Sequence, residues 1–273
     1  MQTREQIRQA KLHGLDKPWT DDPVFQTTYF CNVHREHDKV TQYIRELYSP
    51  TVHLPTFEFN IALARLINRS ETLEKLPYVS DASQISAVWA ILDRMMAEKL
   101  KVFGDAYIVS TNGRAMSKAG YLGNILLPAL WAALGPTSGW RATWGSNTLT
   151  RAYHGLQGVY GLGSFMAGQL IADYKNTKLH PLQGADDYMT WATMGPGSQR
   201  GLNYILTGDF DRKEVTKSNF LEHLTSLKKW LMTLGMDYYY VDAQDLQNCL
   251  CEFSKYVRVR FFDGHTKRRY AGI

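Results

Sequence analysis

Between Tyr29 and Ile44 the chain reads YFCNVHREHDKVTQYI, which crowds Asn32, His34, Arg35, Glu36, His37 and Asp38 into one short stretch. Charge at this density is the usual mark of a solvated helix face. Here Tyr29, Phe30 and Val33 are interleaved, so the stretch is expected to be partly buried, where an arginine and a glutamate need partners. Arg35 has the forked cation that suits a phosphate. Glu36 and Asp38 have carboxylates that can accept a proton. His34 and His37, three apart and without further ligands, are weak grounds for a zinc site. A second group lies at GPGSQRG, Gly195 to Gly201. Its glycines leave backbone N–H groups bare, Ser198 adds a hydroxyl and Arg200 a guanidinium, which together suit a phosphate cradle. A mobile Gly/Pro loop is the plainer reading, and the order of residues is not that of a P-loop. Just before it, Asp186 and Asp187 stand side by side, a common arrangement for capping a helix.

A third group is VYGLGSFMAGQLIADY, Val159 to Tyr174. Glycine at the mouth of a helix is useful only where the backbone bends sharply or meets something closely. Gly161 and Gly163 flank Leu162, and an apolar face at Ala167, Leu170 and Ile171 follows. Bare N–H groups at such a turn, added to those of the next helix and its positive dipole end, form an anion site that reads no base sequence. A glycine-rich helix-packing turn is the alternative.

These groups must be carried by a helical scaffold. Helices are expected over Asp38–Tyr48, Thr56–Asn68, Asp81–Leu100, Asn219–Gly235 and Asp242–Arg260, from apolar residues at helical spacing and from Asp81 and Asp242 as caps. The Thr56–Asn68 helix is expected to turn Phe59, Leu63, Leu66 and Ile67 inward. Gly123–Leu134 is apolar all round, which predicts full burial, and Pro128 should kink or split it. Short strands are possible at 106–110 and 238–241. The reading is a mainly α chain, a single helical domain over 1–273 with an irregular arm at 1–30 and a basic C-terminal segment at 255–273.

Composition agrees. The 273 residues are 44% hydrophobic and 21% charged, a globular balance with enough chain for a substantial core. No run of apolar residues approaches a membrane span, and the polar start MQTREQIRQAKLHGL is unlike a secretory signal. Three cysteines, Cys31, Cys249 and Cys251, cannot build a disulfide framework, and the close pair lacks the usual zinc spacing. A reduced, cytosolic protein without structural metal or cofactor is expected. The net charge of +5 points only weakly to a polyanion. Its distribution says more: from Lys255 to the end, six basic residues including Arg258, Arg260, Lys267, Arg268 and Arg269 face Asp263 alone, with aromatics interleaved. This is either a basic surface tail or a strip that meets phosphates.

The order apolar, Gly, apolar, Gly, three residues, Ala, then an apolar pair resembles a helix-hairpin-helix motif. DNA glycosylases with that motif carry an acid at about the distance of Asp186 and Asp187, at the mouth of a pocket for a flipped base. The longer stretch PWTDDPVFQTTYFCNVHREHDKVTQYI, followed by STNGRAMSKAGYL, TMGPGSQRGLN and CEFSKYVRVR, resembles the phage α-glutamyl/putrescinyl-thymine pyrophosphorylase-like family. It is also similar to the helical domain attached to 5-hydroxymethyluracil DNA kinases. His34 stands where that signature is expected to carry an aromatic. The resemblance implies a fold like that of helix-hairpin-helix DNA glycosylases and a place in the cytoplasm of an infected bacterial host. The implied activity is an amino acid:DNA transfer.

In such a transfer an amine displaces phosphate or pyrophosphate from the 5-methylene of a uracil in double-stranded DNA. The donor would be an amino acid or a polyamine, with glycine foremost. The leaving anion needs preorganised donors and the ammonium must lose a proton; base flipping brings the methylene within reach. On this reading Arg35, Gly195, Gly197, Ser198 and Arg200 bind the leaving phosphate. Asp187, Glu36 or Asp186 takes the amine proton, and Asn32 and Asp38 line the substrate pocket. Gly161, Leu162, Gly163 and Ser164, with Lys255, Arg258 and Arg260, hold the duplex. Cys31 is a minor alternative, adding to the ring before displacement. Rival functions are a glycosylase that excises a modified base, a non-catalytic DNA-binding partner of a kinase, and a purely structural helical protein. No lysine stands just past the hairpin, as a bifunctional glycosylase requires.

Overall fold

The computed structural model describes residues 1–105, 110–111, 113–139, 147–234 and 241–264. Among these residues every extended regular element is helical, as the periodicity predicts. The candidate strands at 106–110 and 238–241 fall almost wholly outside the described residues, as do Gly235 and the basic residues beyond 264. In chain order the helices are α1 (Gln2–Leu12), α2 (Pro23–Thr27), α3 (Lys39–Tyr48), α4 (Phe57–Ile67), α5 (Ser70–Leu73), α6 (Ile85–Ala97), α7 (Lys118–Tyr121), α8 (Leu127–Leu134), α9 (Leu149–Gln157), α10 (Ser164–Lys175), α11 (Pro196–Thr207), α12 (Phe220–Thr233) and α13 (Ala243–Phe261). They gather into two compact units, one of residues 1–38 with 189–273 and one of 39–188.

The first unit is built on α11, α12 and α13. Its core joins Val33, Leu202, Val215, Phe220, Leu224, Leu246 and Leu250. Two glycines of α11 let it lie close to α13. A Cβ on Gly201 would stand 2.3 Å from the Leu250 carbonyl oxygen, and one on Gly197 would stand 3.0 Å from Cys251 Sγ. The expected irregular arm is instead partly helical. Glu5 holds Arg8 at 2.5 Å and accepts from Gln9 at 3.0 Å on the next turn of α1, the spacing that supports a helix. Asp22 caps α2 by accepting from Val24 N at 2.8 Å, and Pro23 fits the first turn.

The second unit is centred on α4, every residue of which is buried. The sequence suggested a one-sided helix, yet its polar side chains all find partners inside the unit. Asn60 exchanges two hydrogen bonds with the Val79 backbone, at 2.8 and 2.9 Å. Arg65 reaches Asp173 of α10 through both Nε and Nη2, at 2.7 and 2.6 Å. Its other bonds go to Asn68 and Thr41. Asp81 caps the turn before α6 by accepting from Ser83 N at 2.8 Å. Pro128 splits the next apolar run as expected: a π turn at Leu122–Leu126 precedes α8. Full burial of that run is corrected, since Leu127, Leu130 and Leu134 are buried while Pro128 and Ala132 face solvent. Small apolar residues can sit outside at little cost.

Candidate functional site

The polar signature of the first unit is an extended segment laid along α13. Asp245, Asn248, Glu252 and Lys255 recur at helical spacing and form one stripe. Lys255 Nζ donates to the Tyr29 carbonyl at 2.9 Å, and Glu252 accepts from Cys31 N at 3.1 Å. Asn248 donates to the Asn32 carbonyl at 3.1 Å, and Asp245 accepts from Arg35 N at 3.1 Å. Arg4 of α1 also donates to this segment, to the carbonyls of Cys31 (2.7 Å) and Asn32. Every bond is one that an extended backbone needs, because its N–H and C=O groups have no helix or sheet to satisfy them. None of these α13 residues except Lys255 was singled out from the sequence. The signal for them is the regular polar stripe on a helix whose opposite side is apolar.

The same segment holds two histidines of opposite character. His34 Nδ1 bonds Asp245 Oδ2 at 2.8 Å, and this partner raises the histidine above its ordinary range. Burial raises the Asp245 carboxyl, with nearby Asp242 adding to it. His37, with its ring centroid 5.3 Å from that of His34, is lowered by burial and then by Arg8 and His34. Its Nδ1 is buried without a hydrogen-bond partner. The result is an imidazole biased toward its protonated form beside one biased toward neutrality that has a vacant nitrogen, an arrangement suited to holding an anion and accepting a proton. Sequence reasoning weighed these histidines only as metal ligands.

A pH profile follows from the signs. A lowered His37 binds fewer protons folded than unfolded, so its penalty is relieved as pH rises toward the unfolded value of about 6.5. A raised His34 contributes stability that is complete below about 6.5 and is lost as pH rises through its folded value. Thermal melts across the neutral range should therefore peak near pH ~6.5. His34→Gln should flatten the alkaline limb and His37→Gln the acidic one; a profile unchanged by either substitution would contradict the assignment.

Several sequence-derived residues are differently employed. The GPGSQRG stretch is no loop: it is Gly195 followed by the first turns of α11. Gly197 and Gly201 face α13, and Ser198 is buried with its hydroxyl on the backbone of Gly195. What remains open to a ligand is Arg200, half-buried, whose Nε has no hydrogen-bond partner. The Asn32 side chain is spent on the His37 carbonyl at 2.7 Å. Glu36 lies half-buried in the turn Arg35–His37, and Asp38 closes that turn, its N–H on the Arg35 carbonyl. Lys255 is paired with Glu252 at 2.6 Å and lies over the Phe30 ring, so it is a brace for the segment and not an open cation. Arg258 and Arg260 are exposed. Cys31 exposes surface as a residue, yet packing around the thiol, then the Glu252 carboxylate, pushes it up to about 11. A thiol held there is a poor nucleophile at neutral pH.

In the second unit α9 and α10 are joined by the glycine turn. Gly161 adopts φ +83°, and a Cβ there would stand 2.2 Å from Leu126 Cδ1. Leu162 is buried and pins the turn. Gly163 is different: a Cβ would meet nothing within 4 Å, and no side chain caps the α10 N-terminus that it opens. Gly163, Ser164 and Phe165 are exposed, and Arg114 donates to the Tyr160 hydroxyl at 3.4 Å beside them. Asp187 turns out to cap α9, the helix that leads into the turn. Its carboxylate accepts from Leu149 N at 2.6 Å, Thr150 N at 3.0 Å and the Thr150 hydroxyl at 2.7 Å. A capping role was the plainer expectation for the acid pair, but the helix capped lies 38 residues upstream. Asp186 is exposed, its N–H on the Asn147 carbonyl.

With this geometry in hand, the family described as 5-hmdU DNA kinase, helical domain, matches residues 1–265, across both units. The chain belongs to that family. A relative within reach of this helical-domain family, the 5-hmdU DNA kinase of Bacillus phage SP10, is 26% identical over 275 residues. The alignment covers 90% of this chain and 41% of the phage kinase, so the chain spans well under half of that relative's length. No solved structure matches. Among the described residues of this family member, no helix is long and apolar enough to cross a membrane.

Proposed function

We propose that this helical-domain protein acts in the hypermodification of thymine-like bases in phage DNA, inside the infected host cell. Its reaction is the replacement of a phosphate or pyrophosphate on the 5-methylene of a uracil by an amine. The observation that supports this most is family membership over 1–265, in a family named for 5-hmdU DNA kinases. The donor amine loses a proton, its nitrogen bonds the methylene carbon, and the carbon–oxygen bond to the leaving phosphate breaks. Glu36, or the vacant nitrogen of His37, takes the proton. Arg200 and Arg35 receive the anion. Asp187 serves by fixing α9 and, with it, the glycine turn. Asp186, exposed on the same stretch, is the remaining acid. In the second unit the open N-terminus of α10 at Gly163 and Ser164 holds duplex phosphates without reading sequence; in the first unit exposed Arg258 and Arg260 do so on their own account.

Duplex carrying phosphorylated 5-hydroxymethyluracil, incubated with the protein and single amino acids or putrescine and digested to nucleosides, should show new masses for the amine adduct. Unchanged nucleosides with every donor would refute the transfer. A second reading is favoured by membership in a family described as the helical domain of a kinase: this domain presents DNA to a kinase's catalytic part. It would give duplex binding and no adduct.

Binding has its own test. Gly163→Glu places a carboxylate in open space at the α10 N-terminus, where it should weaken duplex affinity by roughly tenfold at low salt without disturbing the fold. Gly163→Ala, equally free of clashes, should bind as the parent does. Equal affinity for all three in a salt titration would remove the turn from the interface.

A further inference from the structure

The first unit contains a cavity of about 490 Å³ that the proposed reaction has not used. Its volume lies in the range of small-molecule sites. Five aromatic side chains line it: Phe25, Phe30, Trp230, Phe253 and Tyr256. Phe25 and Tyr256 are stacked at 5.2 Å, and Phe30 lies 4.7 Å from Phe25. Trp230, 55% exposed, marks where the cavity meets solvent. Three charged side chains also reach its wall: Arg4 at 7% and Glu252 at 9% exposure, and Asp22, whose carboxylate accepts from the Tyr256 hydroxyl at 2.6 Å and from Val24 N at 2.8 Å. They form no ion pair with each other. Arg4 donates to two backbone carbonyls and has no carboxylate within ion-pairing distance among the described residues. The bonds of Glu252 to Cys31 N and Lys255 Nζ both use Oε2, which leaves Oε1 to accept.

A buried donor and a buried acceptor at the edge of an aromatic slot match a planar ring whose rim alternates carbonyl oxygen and N–H. That is the rim of uracil and thymine, with O2 and O4 on either side of N3–H. Aromatic walls supply stacking to the ring faces, the common device for holding an unstacked base. Adenine lacks the carbonyls that Arg4 would meet. We propose that this cavity receives the pyrimidine base itself, Glu252 accepting from N3–H and Arg4 donating to a ring carbonyl. The proposal rests on the reading that the substrate is a thymine-like base in DNA, and it places that base against α13. The exposed Arg258 and Arg260 lie farther along the same helix, where a backbone entering the cavity would need cations.

Titration calorimetry of the full chain with free nucleosides tests the pocket without requiring turnover. Thymidine and 5-hydroxymethyl-2′-deoxyuridine should bind, while N3-methylthymidine and deoxyadenosine should bind at least tenfold more weakly. Phe253→Ala and Trp230→Ala should each weaken nucleoside binding by roughly tenfold through lost stacking. Trp230 is largely exposed, so that variant stays folded if Phe253→Ala does not. A duplex with 2-aminopurine beside the modified base separates a base delivered from DNA from a free nucleoside, since extrusion should raise the 2-aminopurine fluorescence. N3-methylthymidine bound as well as thymidine, L-phenylalanine bound in preference to both, or full affinity in Trp230→Ala would overturn the proposal. If nucleosides bind as stated but no amine adduct forms, the transfer reading falls and the base pocket stands. If adducts form at the parental KM for DNA in Trp230→Ala, the pocket falls and the transfer stands.

Discussion

Arg65→Met should lower the stability of the second unit by about 3–5 kcal/mol, the range for removing one partner of a buried ion pair. Arg65 has no exposed surface in its side chain, and Asp173 is nearly as enclosed. Without the guanidinium, the Asp173 carboxylate loses both of its forked bonds in a site that water does not reach. Asn68 and Thr41 lose a donor as well. For a unit of this size the melting temperature should fall on the order of 10 °C. The double substitution Arg65→Met with Asp173→Leu separates the ion pair's own value from the cost of an orphaned charge. It should recover most of the loss, because an apolar pair of similar volume often replaces a buried ion pair at little cost. A single substitution that melts within a degree or two of the parent would show that the pair contributes little. Because α10 carries the open glycine turn at its start, the same substitution should also weaken DNA binding in proportion to the unfolded fraction, not more.

Gly201→Val should be the most damaging change in the first unit. Even a Cβ at this position would stand 2.3 Å from a backbone oxygen, that of Leu250, and a backbone atom cannot turn aside as a side-chain tip can. The two helices must separate, and overpacking of this kind costs about 1–3 kcal/mol or more. The consequences reach beyond stability. The stripe of α13 that holds Tyr29 to Arg35 is rigid only while α13 is seated on α11. Gly201→Val should therefore loosen the signature segment and be seen as faster amide exchange at Cys31 and Arg35, whose N–H groups bond Glu252 and Asp245. Gly163→Ala is the matched control, a glycine with open space around it, and should leave the melt within about 0.5 kcal/mol of the parent. Slow exchange at both amides in Gly201→Val would show that the segment is held by other means.

How far the residues alone lead can be judged from particular cases. Local rules worked where the interaction is local. Asp81 and Asp242 cap the helices that follow them, Pro128 falls at a break in its helix, and apolar spacing marks α3, α4, α6, α12 and α13 to within a few residues. The glycine turn is legible because positive φ at Gly161 is a demand on one residue. Local rules misread Gly197 and Gly201, since a glycine that admits a neighbouring helix looks the same in sequence as one that admits a phosphate. They misread α4 as one-sided because the partners of Asn60 and Arg65 lie 19 and 108 residues away. The signature residues show the same limit. Their meaning comes from a stripe on α13 more than 200 residues distant. The residue order alone thus determined the helical class, the caps, the bend at the glycine turn and the gathering of polar groups near residue 34. Tertiary structure decided which of those groups are spent on holding the backbone and which are left to meet a ligand. The physical reason is that a buried polar group is defined by its partner, and a partner's distance along the chain is set by folding.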